Sequence, residues 1–166
     1  MTNHGNEEGA VEIGNEKYRY RLVRRTGWNA SQVNFVMLNP STATADRDDP
    51  TVRRCIGYAS MWGYGWLAVT NLSPLRATFP ADLRTAGPEP QDVAEINHAE
   101  IMDTALNSDL VVFGWGFLGY LEGRAGLVIE GLRRLGIGGF CLGVTQSGQP
   151  RHPLYVPRDH PLVKYL

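Results

Sequence analysis

The sequence VNFVMLNPS, at residues 33–41, decides the fold that we predict for this chain. A short apolar run bounded by turn-forming residues is typical of a β-strand buried on both faces of a sheet. Pro40 lacks the backbone N–H that a central strand donates to its neighbour, so we expect the strand to end at Asn39. The loop that follows is polar and holds Asp46, Asp48 and Asp49. In open α/β sheets, ligands bind where strands end in such loops.

Further apolar runs predict three more buried strands, at residues 66–72, 109–116 and 139–144. The segments between the strands have the length and pattern of helices, which we place at residues 50–62, 91–107 and 124–135. Asp49 is suited to cap the first helix, because Pro50 fits a first helical position. Residues 73–90 are rich in proline and are expected to form a long loop.

The N-terminal part of the chain has a different pattern. Residues 18–24 alternate large apolar and basic side chains, which predicts a half-exposed edge strand that forms a hairpin with residues 33–38. Residues 1–12 are polar and are expected to be a flexible tail. Together these elements predict a single α/β domain over residues 1–166: three α/β/α layers, a mainly parallel four-stranded central sheet and an N-terminal edge strand.

Composition limits the classes of function. The net charge of -1 argues against a protein that covers duplex DNA by bulk electrostatics. Cys55 and Cys141 are interpreted as buried reduced thiols, and neither a zinc nor an iron–sulfur ligand set is available, so we expect no metal or cofactor. The chain shows no signal-peptide pattern and no apolar run of membrane-spanning length, so we expect a cytoplasmic protein without a membrane partner. The sequence leaves the oligomeric state open.

Parallel strands bring their carboxyl ends to one rim, which here would carry Asn39, Asn71, Trp115 and residues 146–155. A carboxamide both donates and accepts hydrogen bonds, so an asparagine can bind the edge of a planar heterocycle at two points. The glycines around Trp115 fit neither a P-loop nor a dinucleotide-binding fingerprint.

The order of these motifs resembles the uracil-DNA glycosylase superfamily. The resemblance covers roughly residues 33–156 and rests on LNPS at 38–41, LAVTNLSPLRA at 67–77, LVVFGWG at 110–116 and HPL at 152–154. The chain is more closely similar to the DUF1643 family, through MLNPSTA at 37–43, DPTVRR at 49–54, NLSPLRAT at 71–78 and GQPRHPLY at 148–155.

The superfamily resemblance implies roles for three residues. Asn39 would position an attacking water, Asn71 would hydrogen-bond the base edge, and neutral His152 would donate to a carbonyl oxygen of the departing base. The strongest superfamily members have Asp where this chain has Asn39, so Asp46, Asp48 or Asp49 is needed as a general base, and we select Asp49. The alternative for these carboxylates is a solvated loop with a helix cap.

Other site residues follow from the chemistry of a nucleotide. Trp115, Tyr155 and Trp62 are the candidates for the aromatic ring that stacks on the base, and we select the first two. A guanidinium fork suits phosphate, and hydroxyl groups beside the two motifs add donors. The predicted phosphate contacts are therefore Ser41, Arg53, Arg54, Arg76, Ser147 and Arg151.

Three classes of function remain open. The first is an enzyme that hydrolyses or exchanges an N-glycosidic bond in a nucleotide or nucleic acid; if DNA is the substrate, the base is flipped out of the duplex. The second is a non-catalytic protein that binds a nucleotide or a modified base on the same fold. The third is an unrelated activity that reuses the fold. The near-neutral charge favours a nucleotide or a single strand as partner.

Overall fold

The strand at the opening stretch, β4, spans Gln32–Met37 in a computed structural model of the protein. The structure describes residues 2–6, 10–117 and 121–166. β4 lies between β5 (Trp66–Asn71) and β6 (Leu110–Phe113) and pairs with both in parallel. Every residue of β4 after Gln32 is buried, as expected for a strand with neighbours on both sides and helices on both faces.

The remaining strands extend this parallel centre into a mixed sheet. They are β1 (Thr2–Asn6), β2 (Ala10–Gly14), β3 (Arg19–Arg25), β7 (Phe140–Cys141) and β8 (Val163–Lys164). The sheet has eight strands in the order β1-β2-β3-β5-β4-β6-β7-β8. β7 is parallel to β6, whereas β1, β2, β3 and β8 pair in antiparallel fashion. The prediction of a mainly parallel four-stranded sheet is therefore wrong for the sheet as a whole.

The position of β3 corrects two further predictions. β3 is not an edge strand, because it lies between β2 and β5, and it pairs with β5 rather than forming a hairpin with β4. Its basic residues gave the impression of an exposed strand, yet Arg24 is buried and forms an ion pair of 2.8 Å with Asp48. Partners distant in sequence thus allow charged side chains inside the sheet.

The expected N-terminal tail, residues 1–12, contains β1 and the beginning of β2. Residues 1 and 7–9 of this segment lie outside the described part of the chain. β1 pairs with β2 over residues 2–6, so the described tail residues form the outermost hairpin of the sheet.

Helices cover both faces of the sheet. They are α1 (Pro50–Met61), α2 (Pro80–Ala86), α3 (Gln91–Leu106) and α4 (Glu122–Arg134), and a short 3-10 helix lies at Pro153–Tyr155. α1 packs in one apolar cluster with Phe35, whereas α3 and α4 pack in a second cluster with Val36. Since successive strand residues point to opposite faces, the two clusters lie on opposite sides of the sheet. The predicted α/β class is confirmed.

The predicted loop at residues 73–90 contains helix α2. Pro80, one of the prolines that predicted a loop, lies in the first turn of α2. Proline is tolerated there, because backbone N–H groups of the first turn have no acceptor within the helix. Within the described ranges, no helix combines the length and apolar character needed to cross a membrane.

Candidate functional site

A cavity of about 620 Å³ opens where β4, β5 and β6 end. Its wall includes the loop after β4, the first residues of α1, the segment after β6, and residues Thr145, Arg151, His152, Leu154 and Tyr155. The three predicted catalytic residues all line this cavity: Asn39, Asp49 and His152. The predicted base-binding residues line it as well: Asn71, Trp115 and Tyr155. The volume lies in the range of pockets that hold small organic ligands.

Asn71, the last residue of β5, lines the cavity and has an unsatisfied amide nitrogen. The residue is only 1% exposed, and its Nδ2 has no acceptor among the described residues. Its backbone carbonyl accepts a 2.9 Å hydrogen bond from Nδ2 of Asn97 on α3, which holds the end of the strand in place. A buried donor without a partner is costly in a folded protein, so this amide is suited to an acceptor on a ligand.

The Asn39 side chain is oriented by two main-chain carbonyls. Its Nδ2 donates to the carbonyl of Pro40 at 2.8 Å and to that of Ala77 at 2.7 Å. Both neighbours are acceptors, so the amide nitrogen must face them and Oδ1 is left to accept hydrogen bonds. An asparagine held in this way can accept a hydrogen bond from a water molecule or from a donor on a ligand, but its carboxamide is a poor general base.

His152 begins the 3-10 turn, and its Nδ1 accepts a hydrogen bond of 3.2 Å from the backbone N–H of Leu154. Burial lowers the pKa of His152 from its usual 6.5, against an opposing effect of Asp49. The ring is therefore neutral at pH 7, and its one proton is on Nε2. His152 can donate a hydrogen bond to a ligand without carrying a positive charge.

Gly116 joins the His152 segment to the end of β6. Its backbone N–H donates to the carbonyl of Pro150 at 2.8 Å, and its φ of 69° lies in the region that favours glycine. A Cβ atom at this position would lie 3.3 Å from the Cβ of His152. The glycine thus allows the close approach that brings His152 to the cavity.

Asp49 combines a structural and a site position. It is the N-cap of α1, and its Oδ1 accepts a 2.8 Å hydrogen bond from the backbone N–H of Val52. The residue is 6% exposed and lines the cavity. Because the cap uses Oδ1, the oxygen Oδ2 is not engaged by it. Asp46 and Asp48, the alternative general bases, lie outside the cavity wall.

The three candidate stacking aromatics differ in exposure. Trp115 is buried, with its ring 4.9 Å from that of Phe113 and its Nε1 bonded to Gln149 at 3.0 Å, so core packing uses much of this side chain. Trp62 packs on Phe35 in the core and lies outside the cavity wall. Tyr155 lines the cavity, is 74% exposed and lies 5.5 Å from the His152 ring.

The predicted phosphate contacts divide into two groups. Ser41 and Arg151 line the cavity, and Arg151 is held by a 3.2 Å hydrogen bond from Nη2 to the carbonyl of Tyr155. The others lie outside the wall: Arg53, Arg54, Arg76 and Ser147.

Most residues of the second group bond to other residues of the protein. Arg53 is exposed and donates to the carbonyl of Asp48 at 2.7 Å, while Ser147 shares a 2.9 Å hydrogen bond with Thr145. Arg76 forms an ion pair with Glu12 on β2. The ion pair commits Arg76 to holding the N-terminal strands against the site.

Sequence reasoning missed several residues of the cavity wall. The most prominent is Arg19 at the start of β3, which is 2% exposed. Phe117 is also on the wall and is 77% exposed. The glycine-rich segment around Trp115 was a signal for Phe117, whereas no local pattern indicates that an arginine in an alternating strand is buried. Within the described ranges, no cluster of three or more His, Cys, Asp or Glu residues is placed to hold a metal ion.

Comparisons with known proteins identify the family of this chain. Residues 19–154, most of its length, match the family described as "Protein of unknown function (DUF1643)". No curated protein matches the chain, and no solved structure matches it either. The matched range contains every residue of the cavity wall described above except Tyr155. The chain therefore belongs to the DUF1643 family.

Proposed function

We propose that this protein recognises a nucleobase in the cavity and hydrolyses its N-glycosidic bond. The observation that carries the proposal is that Asn71, whose Nδ2 is buried and unpartnered, lines the same cavity as Asn39 and His152. The carbonyl oxygens of nucleobases are acceptors of the kind that this amide lacks. The resemblance of the strand-end motifs to the uracil-DNA glycosylase superfamily supports the same roles.

In this reaction the oxygen of a water molecule attacks C1′ of the sugar. The bond from C1′ to the base nitrogen breaks, and its electron pair moves onto the base. The Nε2–H of His152 donates to the base carbonyl on which negative charge develops, and a fixed donor of this kind is often the largest catalytic contribution. Asn39 Oδ1 accepts a hydrogen bond from the water and orients it. Asp49 takes one proton of the water as general base, and the other proton stays on the new C1′ hydroxyl.

The substrate that fits these features is a nucleotide or a single-stranded nucleic acid. The whole-chain charge of -1 gives little general attraction for a duplex. Tyr155 and Phe117, both largely exposed on the cavity wall, offer ring surfaces on which a base can stack as it enters.

The second candidate function is recognition of a nucleotide or modified base without cleavage. Two observations favour it. Asn39 occupies a position where a carboxylate would activate water better, and one oxygen of Asp49 already serves as the cap of α1. Both candidate functions require the base-binding role of Asn71, so they differ in chemistry and not in recognition.

The test measures binding and base release in the same samples. Nucleosides, nucleotides and short single-stranded oligonucleotides are screened by thermal shift, and free base is quantified by chromatography. Release that falls roughly 100- to 1000-fold in His152→Ala, the scale of a lost transition-state donor, supports hydrolysis. Binding without release supports the second candidate. A failure of every base-containing compound to bind contradicts both.

A further inference from the structure

Arg19 is an enclosed positive charge on the wall of the candidate site. It is among the largest fully buried side chains and lines the cavity. Its hydrogen bond is from Nη1 to the carbonyl of Ala43 at 2.9 Å, while Nε is buried without a partner in the described part of the chain. A guanidinium has five N–H donors, and the Nε–H of Arg19 is a buried donor without an acceptor among the described residues.

The neighbouring carboxylates are engaged elsewhere. Glu12 pairs with Arg76, and Asp48 pairs with Arg24. Asp49 lies near enough to influence Arg19 but forms no ion pair with it, and its Oδ1 is used by the cap of α1. Of Arg19, Arg24 and Arg76, Arg19 is thus the arginine that has no ion-pair partner among the described residues.

The Arg19 guanidinium stays positively charged despite its burial and the neighbouring Arg76. Burial, with a further contribution from Arg76, lowers the pKa of Arg19 to about 10, which still leaves it protonated at neutral pH. A buried cation without a counter-ion destabilises a folded protein, whereas a ligand anion in the same cavity would compensate it. A binding role explains this arrangement better than a structural role, because one main-chain hydrogen bond does not require a charge.

We propose that Arg19 binds an anionic oxygen group of the ligand, carried either as a phosphate on the nucleotide or as a carboxylate on the base. The proposal rests on the proposed function for the remainder of the ligand, because Asn71 on the same cavity wall would bind the base. Arg19 then selects charged ligands over neutral ones. Arg76, which also donates to the Ala43 carbonyl, supports the loop and does not contact the ligand.

The experiment compares matched neutral and anionic ligands on the wild-type protein. Dissociation constants are measured by calorimetry for each nucleoside with its 5′-monophosphate, and for uracil with 5-carboxyuracil; inorganic phosphate is added alone as a further probe. The anionic member of one pair is expected to bind at least about tenfold more tightly, the scale of a hydrogen bond to a charged group. The pair that shows the preference identifies the source of the anion.

Two variants assign the preference to Arg19. Arg19→Met is expected to bind neutral ligands as the wild type does and to lose the preference for anions, and its melting temperature is expected to equal or exceed that of the wild type. Arg19→Lys keeps the charge and is expected to retain part of the preference. Arg76→Met is the matched control, since it removes a neighbouring arginine that is bonded to the same carbonyl.

The outcomes separate this proposal from the proposed function. If nucleosides bind but anionic ligands have no advantage, or if Arg19→Met keeps the advantage, the role of Arg19 is overturned and base recognition stands. If no base-containing ligand binds but phosphate stabilises the wild type and not Arg19→Met, the anion site stands and the proposed function falls. If Arg19→Met fails to fold, the role of Arg19 is tested by comparing the preference for anionic ligands in Arg19→Lys with that in the wild type.

Discussion

The Nδ1 atom of His152 accepts a 3.2 Å hydrogen bond from the backbone N–H of Leu154. A proton on Nδ1 would remove this acceptor, so the contact and the neutral ring depend on each other. Burial acts in the same direction and lowers the pKa of His152, while Asp49 opposes it. The arrangement gives His152 on the cavity wall a neutral ring with its proton on Nε2, the form that the proposed reaction uses.

The first prediction concerns the dependence of stability on pH. The pKa of His152 is lower in the native protein than the usual 6.5 expected of the unfolded chain, so the unfolded state binds more protons between the two values. The neutral His152 therefore contributes to the free energy of unfolding. This contribution is fully present above pH 6.5 and is lost as pH falls from 6.5 through the native pKa. Urea unfolding of the wild type and of His152→Gln, between about pH 5 and 8, measures it.

The substitution is expected to reduce the loss of stability on acidification. His98→Gln on α3 controls for a histidine substitution outside this cavity. Equal pH dependence of the wild type and His152→Gln would contradict the assignment of a neutral His152.

The second prediction uses the unsatisfied amide of Asn71. Asn71→Ala is expected to weaken the binding of a nucleobase ligand by roughly 1–3 kcal/mol, the scale of a good contact to a base edge. Asn71→Leu removes the buried donor with little change in volume, so the free protein is expected to keep or gain stability. Calorimetric titration and thermal unfolding measure the two effects separately.

Asn97 is the matched control for Asn71. It is also buried, but its Nδ2 donates to the carbonyls of Asn71 and Leu72. Asn97→Ala removes a donor from two main-chain carbonyls and is expected to lower the free energy of unfolding by about 1–3 kcal/mol. A similar loss of stability in Asn71→Leu would show that Asn71 is a structural residue.

The parallel centre of the sheet was predictable because its strands are apolar runs with abrupt polar ends. The polar ends at Asn39 and Asn71 also indicated where the cavity lies, since parallel strands carry their carboxyl ends to one rim. β3 was not predictable in this way. Its arginines suggested exposure, and their buried partners, such as Asp48 for Arg24, are distant in sequence.

The same limitation applies to the arginines of the candidate site. The sequence analysis selected Arg76 as a phosphate contact and did not select Arg19, but in the structure Glu12 forms an ion pair with Arg76 and not with Arg19. Glu12 is 64 positions from Arg76, and no local pattern reports such a contact. Which guanidinium remains available for a ligand is a property of the tertiary structure.

The third prediction is that Arg76 stabilises the folded protein and does not bind the ligand. The pair with Glu12 is mostly buried, and Arg76 also donates to the carbonyls of Asn15 and Ala43. Removing one partner of a buried ion pair costs up to about 3–5 kcal/mol, so Arg76→Ala is expected to lower the free energy of unfolding by a large fraction of that range. Urea unfolding measures the loss.

Ligand affinity distinguishes this role from the phosphate contact that the sequence suggested for Arg76. At a temperature where Arg76→Ala is folded, its dissociation constant for a nucleotide is expected to equal that of the wild type. A selective loss of affinity for nucleotides over nucleosides would restore Arg76 to the binding site. Glu12→Gln, which removes the partner and keeps Arg76, should share the loss of stability.

The fourth prediction separates the two uses of Asp49. Its Oδ1 caps α1 through the backbone N–H of Val52, and its carboxylate is the proposed general base. Asp49→Ala removes both and is expected to cost about 1 kcal/mol of stability, the usual effect of losing an N-cap. Asp49→Ser restores a capping oxygen without a carboxylate, so its stability should be close to that of the wild type. Thermal unfolding of the three proteins measures the cap.

Base release by the same three proteins measures the chemistry. If Asp49 accepts the proton of the attacking water, Asp49→Ser is folded and capped but releases base roughly 100- to 10,000-fold more slowly, the range of a lost general base. Asp49→Ala should be equally slow, because the missing group is the carboxylate in both. Turnover that follows stability instead, normal in Asp49→Ser and reduced in Asp49→Ala, would leave Asp49 as a helix cap and transfer the proton to another acceptor.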